Sequence, residues 1–528
     1  MHTPTASSPR TRRGRCSTSC SLRGLPSCGP WSSSSPIRFG HQEIPMSNIL
    51  LIMTDQQRYD AFGRHGGHVC PTPHLDQLAG QGVDFRNAYT CTALCTPARA
   101  SIFTGMRPHR HGMLVNSMHH ESARSIPRNM PTIAERLGAA GYRCGLEGKW
   151  HAGDRPPSQC GFVGLDTRGY TDATTTPEYA EHLSRFGLDR PRVKAEGVGW
   201  ERNLTLAGRM SGPVEGSVPF FVAQRSIDRL DDFAAAGAPF FLACCFWGPH
   251  APYLPCEPYA SMVDPADIEP WGNFHDRFEN KPALYRKYRD AFIGEGNEPR
   301  SWDEVARWAA LCFGFTAQID DQIGRILGRL EARGLADDTA VLFTTDHGDL
   351  AGAHGGMHDK SALMVQELYH IPMVMRLPGG PAGTTCDALV SNLDVSATIL
   401  DLAGVKAHQD LDSRSLLPLL RDPGHWPDHA VAQSWGNHFL CDVRMIVDHR
   451  FKYVFRPGDI DELYDLDRDP WEMRNLIDEP QHRPVLAELR RKLIAWCRDH
   501  EDPIGVYIRD LYGDRTHCTL ANAQPYPT

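Results

Sequence analysis

The chain has 528 residues, of which 41% are hydrophobic and 23% are charged, and its formal net charge at pH 7 is −9. This composition is typical of a globular protein with a large core, and the length predicts a large domain followed by a smaller one. No run of eighteen apolar residues is present, which excludes a membrane-spanning helix, and we expect no membrane partner.

Residues 1–45 differ in composition from the rest of the chain. They contain ten serines, six arginines and a single acidic residue, Glu43, as in a transit peptide, but lack the apolar segment of a secretory signal. Met46 opens the stretch MSNILLIMTDQQ, which has the character of a complete protein start. We therefore expect residues 1–45 to be a disordered tail upstream of the natural start at Met46, and the protein to be cytoplasmic.

The charge and the cysteines narrow the classes of function. Six arginines against one glutamate give the tail a charge of +5, which leaves −14 for the remaining residues. A chain this acidic is a poor candidate for sequence-independent binding, so we expect no nucleic-acid partner. Thirteen of the sixteen cysteines lie beyond the tail without paired spacing, which favours reduced thiols over a disulfide framework.

Three nearly continuous apolar runs predict buried strands, at Ile49–Met53, Phe240–Phe246 and Ala340–Phe343. Such runs are typical of a mostly parallel sheet that helices cover on both faces. Helical periodicity lies between them, at Thr132–Ala140 and at Trp302–Arg333. The alternation predicts an α/β, doubly wound core.

Two further segments complete the predicted organisation. Residues 155–235 are rich in Gly, Pro and Arg, and we expect irregular excursions around an active site there. Beyond about residue 425 the pattern changes to short β-like runs followed by an amphipathic helix at Val485–Cys497. We therefore predict a large domain over residues 46–425 and a smaller C-terminal α+β domain over residues 426–528.

Polar side chains follow the first and third predicted strands directly. Asp55 and Gln56 come after the first strand, and Asp346 and His347 come after the third. If the two strands are neighbours, these four side chains converge on a divalent cation, for which oxygen-rich ligation favours Ca²⁺, Mg²⁺ or Mn²⁺. Each pair taken alone also fits the cap of a following helix.

Four basic side chains follow other strands or lie near them. Lys149 and His151 come after a predicted strand at 142–146 and could hold an anion, although a surface lysine beside a packed histidine fits equally well. His250, with prolines on both sides, suits a general acid or a structural turn. Lys360 is the least specific signal of the four, since a lysine in such a stretch is usually a solvated side chain.

The stretch Cys95-Thr96-Pro97-Ala98-Arg99, continuing to Thr104-Gly105, resembles the sulfatase signature C-x-P-[SA]-R followed by T-G. Other segments resemble further parts of that family in the family's order, namely GKWHAG (148–153), GPHAPY (248–253), TDHGDLAGAHG (345–355) and ELYDLDRDPWEMRNL (462–476). The resemblance covers Met46 to about residue 500, and it is the combination of segments that makes it specific.

The resemblance implies an alkaline-phosphatase-like fold with a mostly parallel central sheet flanked by helices. It also implies that a formylglycine-generating enzyme oxidises Cys95 to Cα-formylglycine, recognised through the C-x-P-x-R sequence. One hydroxyl of the hydrated aldehyde, activated on a metal, would attack the sulfur of a sulfate ester. The second hydroxyl would allow sulfate to be expelled, which a serine could not do. The metal implied is one divalent ion, with Ca²⁺ favoured over Mn²⁺ and Mg²⁺.

The family's functional residues map onto this chain position by position. Asp55, Gln56, Asp346 and His347 resemble the metal ligands, with modified Cys95 as a further ligand. Arg99 resembles the residue that steadies the metal-bound formylglycine.

The remaining positions resemble the residues that handle the substrate. Lys149 and His151 match the pair that holds sulfate and formylglycine, with His151 the candidate base for sulfate expulsion. His250 and Lys360 match the pair that binds the sulfate oxygens and protonates the leaving group. Asn116 lies where a related subgroup has a substrate-binding asparagine.

The metal pairs depart from the commonest arylsulfatase pattern. Many arylsulfatases have Asp-Asp and Asp-Asn, whereas Asp55-Gln56 and Asp346-His347 look more like choline sulfatases and phosphonate monoester hydrolases. We therefore predict a sulfuric ester hydrolase acting on a small-molecule or carbohydrate sulfate, and retain a phosphonate monoester or phosphodiester hydrolase as the alternative. A catalytically silent binding protein is the third reading, which the complete set of site residues disfavours.

Overall fold

The structure is a computed structural model of the whole chain. It describes residues 48–66, 69–116, 122–198, 205–293, 300–360, 362–406, 410–436 and 439–512. The predicted tail 1–45 and Met46 lie outside these ranges. The described residues all fall in one compact unit, and the predicted division between residues 425 and 426 stays a prediction.

The chain forms fifteen strands within the described residues. They are β1 (Asn48–Asp55), β2 (Val83–Tyr89), β3 (Arg143–Gly148), β4 (Val163–Gly164), β5 (Val193–Val198), β6 (Thr205–Met210), β7 (Phe240–Pro249), β8 (Thr339–Thr345), β9 (His370–Ile371), β10 (Met373–Arg376), β11 (Thr384–Ser391), β12 (Ala430–Gly436), β13 (Leu440–Val447), β14 (Phe451–Phe455) and β15 (Glu462–Asp465).

Fourteen α-helices accompany them in the same parts of the chain. They are α1 (Pro73–Gly80), α2 (Cys95–Thr104), α3 (Pro108–His111), α4 (Ile133–Ala139), α5 (Pro177–Phe186), α6 (Val218–Ala236), α7 (Ala283–Ile293), α8 (Trp302–Ala332), α9 (Ala353–Gly356), α10 (Gln366–Tyr369), α11 (Asp394–Leu402), α12 (Leu416–Arg421), α13 (Arg483–Asp499) and α14 (Gly505–Tyr512).

Nine strands form a central mixed sheet in the order β11-β2-β10-β8-β1-β7-β3-β4, with β9 paired to β2. The pairs β8-β1, β1-β7 and β7-β3 are all parallel, whereas β10 is antiparallel to its neighbours. Alternate residues of β1 pack into different cores, with Ile49 and Leu51 on one face and Leu50 and Ile52 on the other. The predicted α/β core with helices on both faces is therefore confirmed.

The C-terminal part has a second sheet, antiparallel, in the order β12-β13-β14-β15. Helix α13 packs on it through Leu486, Leu489 and Leu493, in one apolar cluster with Tyr453 and Phe455 of β14. The predicted strand Phe451–Phe455 has these bounds in the structure, and the predicted helix Val485–Cys497 lies within α13. No helix among the described residues combines the length and the apolar character that crossing a bilayer requires.

The prediction that residues 155–235 are irregular was wrong. This segment contains α5, the hairpin β5-β6 and most of the nineteen-residue helix α6. Ser217 caps α6 by accepting from the backbone N–H of Phe220, and Pro219 lies in the first turn, where its missing N–H costs nothing. Pro177, Gly187 and Pro219 therefore lie at the ends of helices.

Helix α4 begins with a reciprocal cap that we expect to contribute to stability. The Thr132 hydroxyl accepts from the backbone N–H of Glu135 at 3.2 Å and donates to the Cys160 carbonyl at 2.7 Å, while the Glu135 carboxylate accepts from the Thr132 N–H at 2.8 Å. Replacing Thr132 by Ala removes both hydroxyl bonds and should lower the free energy of unfolding by about 1–2 kcal/mol.

Denaturant titration of Thr132→Ala tests this expectation. Thr385→Ala, at an exposed position of β11, is the control and should change the free energy of unfolding by less than about 0.5 kcal/mol. Equal effects of the two substitutions would show that the cap contributes nothing of its own.

Candidate active site

The order of the central strands brings the predicted polar clusters together. In the parallel pairs, Thr54 of β1 lies opposite Thr345 of β8, and Asp55 lies opposite Pro249 of β7. Strand β3, on the far side of β7, places Lys149 next to this edge, where its N–H donates to the Cys245 carbonyl at 2.8 Å. The carboxyl ends of four strands therefore meet, as ligand sites in open α/β sheets require.

Four potential metal ligands converge at this edge. Asp55, Cys95, Asp346 and His347 are all buried, and each offers a ligand atom within 4.8 Å of the others. The Cys95 sulfur lies 3.1 Å from Nε2 of His347 and 3.8 Å from Oδ1 of Asp55. The strands that carry Asp55 and Asp346 are neighbours, which is the condition under which the sequence predicted that these side chains converge.

Cys95 is the first residue of helix α2, following Leu94 in an extended conformation. Burial raises the pKa of the Cys95 thiol, but the positive charges of Lys149, Lys360 and His347 outweigh burial and hold that pKa well below its usual range. Pro97 lies in the first turn, where backbone N–H groups have no partner within the helix. The signature stretch therefore presents a buried, polarised sulfur beside two carboxylates.

Arg99 binds both carboxylates from the next turn of α2. Its Nε donates to Oδ2 of Asp346 and one terminal nitrogen donates to Oδ2 of Asp55, each at 2.8 Å. The other terminal nitrogen donates to the Lys149 carbonyl, also at 2.8 Å. Arg99 is fully buried, so this guanidinium fixes three strand ends relative to α2.

Gln56 has a defined amide orientation. Its backbone φ of 62° turns the chain out of β1. The side-chain nitrogen donates to Oδ2 of Asp349 at 3.0 Å, and the Tyr253 hydroxyl donates to the same oxygen at 2.6 Å. The amide oxygen accepts from Nζ of Lys360 at 2.8 Å, on the side of the active site. Asp349 therefore orients Gln56 with its oxygen available to a cation.

His347 is oriented by a hydrogen bond to the backbone. Its Nδ1 lies 2.8 Å from the Gly348 carbonyl, which fixes that nitrogen as the donor and leaves Nε2 facing Cys95. Burial lowers the pKa of His347, but the negative charges of Asp346 and Cys95 raise it to about 9. The negative charge of the cluster thus favours a positive charge at this position. Either a bound cation or a proton on His347 would supply it.

The predicted anion-binding lysines are buried. Lys149 is 2% exposed and pairs with Oδ2 of Asp55 at 2.5 Å. Lys360 is 3% exposed and lies 2.8 Å from both Asp359 and Nε2 of His250. Burial therefore excludes the alternative interpretations, in which Lys149 is a surface lysine and Lys360 is a solvated one.

His151 and Asn116 complete the set of predicted residues. His151 is 6% exposed, and its Nδ1 has no hydrogen-bond partner among the described residues. Burial lowers the pKa of His151, which favours a neutral imidazole. Asn116 is half-buried and accepts from the backbone N–H of Thr96 at 2.9 Å. The structure thus brings every predicted site residue to one edge, and their individual roles stay predictions.

The residues fit the metal that the sequence predicts. Two buried carboxylates, an oriented amide oxygen and an oriented imidazole form a donor set rich in hard oxygen atoms, which suits Ca²⁺, Mg²⁺ or Mn²⁺. Asp55 keeps Oδ1 toward the Cys95 sulfur while its other oxygen is held by Arg99 and Lys149. Burial and the negative charge of Cys95 raise the pKa of Asp55, but the positive charges of Lys149 and Arg99 outweigh both and lower that pKa to about 2.

Sequence reasoning missed Asp349 and the network around His354. His354 lies 3.0 Å from Asp276 and 3.2 Å from Glu367, and Lys281 pairs with Asp276 at 2.5 Å, all of them largely buried. This network anchors the loop that joins His347 to Lys360. Asp349 and His354 both lie in the quoted segment TDHGDLAGAHG, but their partners are distant in sequence and no local pattern identifies them.

Models of known protein families match most of this chain. The model of the Sulfatase family matches residues 47–405, and that of the C-terminal region of N-sulphoglucosamine sulphohydrolase matches residues 352–499. The chain belongs to the sulfatase family. It is a sulfatase enzyme, in a family whose members typically depend on a metal ion.

Relatives of this sulfatase cover almost its whole length. An arylsulfatase from Clostridium perfringens is 29% identical over 86% of this chain and 95% of its own. A choline-sulfatase from Rhizobium meliloti is 27% identical over 82% and 83%. The structure of the phosphonate monoester hydrolase of Agrobacterium radiobacter superposes with a TM-score of 0.72 at 27% identity, covering 86% and 96%. The predicted family and alkaline-phosphatase-like fold are confirmed.

The pairing of Gln56 with Asp349 yields a prediction about stability. Gln56→Glu keeps the shape of the side chain but places a carboxylate oxygen where the amide nitrogen now lies, 3.0 Å from Oδ2 of Asp349. The two negative charges should repel and lower the free energy of unfolding by about 2 kcal/mol in the presence of a chelator.

A double-mutant cycle isolates this contact. In Gln56→Glu combined with Asp349→Asn, an amide again faces a carboxylate, so we expect a coupling free energy of about 1–3 kcal/mol from unfolding of the four proteins. Additive losses to within about 0.5 kcal/mol would mean that Asp349 does not orient Gln56.

Proposed function

We propose that this sulfatase hydrolyses a sulfate ester by means of a formylglycine made from Cys95 and a divalent cation held by Asp55, Gln56, Asp346 and His347. One observation carries the proposal. The buried donor atoms of Asp55, Cys95, Asp346 and His347 lie within 4.8 Å of one another at the start of α2.

The charges around this cluster favour an anionic substrate. Lys149 and Lys360 are buried cations near Cys95, and His250 lies within hydrogen-bonding distance of Lys360. Sulfate oxygens can replace the contacts that these groups now make among themselves. When bound, the cation lowers the pKa of an oxygen nucleophile, and formylglycine provides that oxygen.

Two histidines can move the protons that the reaction requires. The Lys360 ammonium donates to Nε2 of His250 at 2.8 Å, so this pair can pass a proton to the oxygen of the leaving alcohol. Burial lowers the pKa of Lys360, but the negative charges of Asp359, Cys95 and Asp55 outweigh burial and raise it, so the ammonium stays charged for binding sulfate oxygens. Burial lowers the pKa of His151, and its Nδ1 has no hydrogen-bond partner in the part of the chain that the structure describes, so this imidazole can accept a proton when sulfate is expelled.

The proposal includes maturation and metal identity. We propose that a formylglycine-generating enzyme acts on Cys95 before the site is complete, and that Ca²⁺ is the metal. The oxygen-rich donor set supports Ca²⁺, whereas the imidazole of His347 moves the balance toward Mn²⁺.

A phosphonate monoester or phosphodiester hydrolase is the second candidate. The similarity to the phosphonate monoester hydrolase and the neutral amide of Gln56 among the metal ligands support it. Compared with a carboxylate at position 56, the amide of Gln56 removes one negative charge from the site. This changes the net charge of the ester that the site prefers. Comparison of kcat/KM for phenyl sulfate and phenyl phosphonate esters with the purified enzyme decides between the two, and a higher value for the sulfate is expected.

The role of Cys95 is tested by substitution. Cys95→Ser leaves a single hydroxyl and cannot be converted by the same route, so kcat/KM for sulfate esters should fall by at least about a thousandfold. Cys386→Ser, in the half-buried part of edge strand β11, is the control and should retain activity. Retention of full activity by Cys95→Ser would rule out the formylglycine mechanism.

Metal removal gives an independent prediction. Exhaustive dialysis against a chelator should abolish sulfate hydrolysis and lower the thermal unfolding midpoint, because a ligand that binds only the folded protein stabilises it. Re-addition of Ca²⁺ should restore both, and Asp346→Asn should weaken the recovery. Unchanged activity in protein that elemental analysis shows to be metal-free would contradict the proposed site.

A further inference from the structure

A cavity of about 300 Å³ opens directly beside the proposed anion-binding residues. Lys149 and His250 form its active-site end. Its other walls come from the hairpin β5-β6, from residues 170–179 and from the start of α6, together with residues 247–254 and Phe315. A substrate whose sulfate reached Lys149 and His250 would therefore extend its alcohol into this cavity.

The walls of the cavity are mostly apolar and aromatic. Tyr170 is 60% exposed and Val193 is 47% exposed, and both line the cavity together with Trp247, Met210 and Phe315. Exposure of large apolar side chains to water is unfavourable, and a bound apolar group would cover them. The Tyr170 ring centre lies 5.3 Å from Nζ of Lys149, so an aromatic face stands next to the position of the anion.

Several hydrogen-bonding groups in the cavity walls already form hydrogen bonds within the protein. Trp247 donates its indole N–H to the Thr171 carbonyl at 2.8 Å, and Tyr179 donates its hydroxyl to the Gly216 carbonyl at 2.5 Å. Asp172 accepts from the backbone and hydroxyl of Thr174 at 2.9 Å each. A leaving group with many hydroxyls would lose bonds to water and gain few in return.

The two charged side chains of the wall have opposite signs. Asp172 and Arg190 both line the cavity, and Arg190 donates to the Thr174 carbonyl, which lies between them in sequence. The wall therefore offers no net charge to a leaving group. The cavity volume of about 300 Å³ is at the low end of the range for small-molecule sites. It leaves room for about one ring system.

We infer that this cavity binds the leaving alcohol and that the alcohol is an uncharged aromatic one, held against the ring of Tyr170. The inference rests on the proposed function, because it takes the sulfate group to lie at Lys149 and His250. It makes Tyr170 a specificity-determining residue. A stacked aromatic contact of this kind changes an affinity by up to about tenfold.

Substitution of Tyr170 tests the inference on the matured enzyme. We expect Tyr170→Ala to lower kcat/KM for 4-nitrophenyl sulfate about tenfold and to change kcat/KM for glucosamine 6-sulfate by less than twofold. Tyr507→Ala is the matched control, since Tyr507 is a 68% exposed tyrosine of α14 outside this cavity, and it should change neither value. Equal losses on both substrates, or a wild-type preference for the sugar sulfate, would overturn the inference.

A binding measurement separates this inference from the proposed chemistry. Calorimetry with the Cys95→Ala protein, which cannot turn over substrate by the proposed route, should show phenyl sulfate binding that weakens about tenfold in Cys95→Ala/Tyr170→Ala. Unchanged binding in the second protein would overturn the inference even if the wild type hydrolyses sulfate esters. Failure of the matured wild type to hydrolyse any sulfate ester would instead overturn the proposed function.

Discussion

The active site depends on one buried guanidinium. Arg99 donates to both Asp55 and Asp346 at 2.8 Å, and without it two carboxylates would face each other in the protein interior. Residues four apart lie on the same side of a helix, so the arginine that ties α2 to the ends of β1 and β8 also fixes Cys95 beside them. This explains the spacing of the signature C-x-P-x-R in terms of helix geometry.

The same constraint connects the proposed metal ligands to the residues proposed to bind the substrate. Arg99 also holds the Lys149 carbonyl, and Lys149 pairs with Asp55, so the two groups of residues are linked directly. On the other side, Lys360 contacts Gln56, whose amide is oriented by Asp349. The neutral amide of Gln56 therefore suits the neighbouring carboxylate of Asp349, which would repel a second carboxylate at position 56.

The sequence predicted the strands that carry the site because their apolar runs are buried on both faces, as at Ile49–Met53. It predicted the site residues because polar side chains at strand ends and a specific signature coincide. Helix α6 was not predicted because the Gly, Pro and Arg content of residues 155–235 obscures its cap at Ser217 and its apolar periodicity. Asp349 and Tyr170 were missed since their contacts are made across the fold and leave no local pattern.

We propose that the side chain of Cys95 is the precursor of the working group, since its Cβ carbon becomes the aldehyde of formylglycine and its sulfur is lost. Mass analysis of the tryptic peptide Asn87–Arg99 from protein made in its native host tests this most directly, because the peptide contains Cys95 and, as an internal reference, Cys91. The account predicts the mass of a peptide with formylglycine at position 95 and unmodified cysteine at position 91. An active preparation in which position 95 is entirely unmodified cysteine would contradict it.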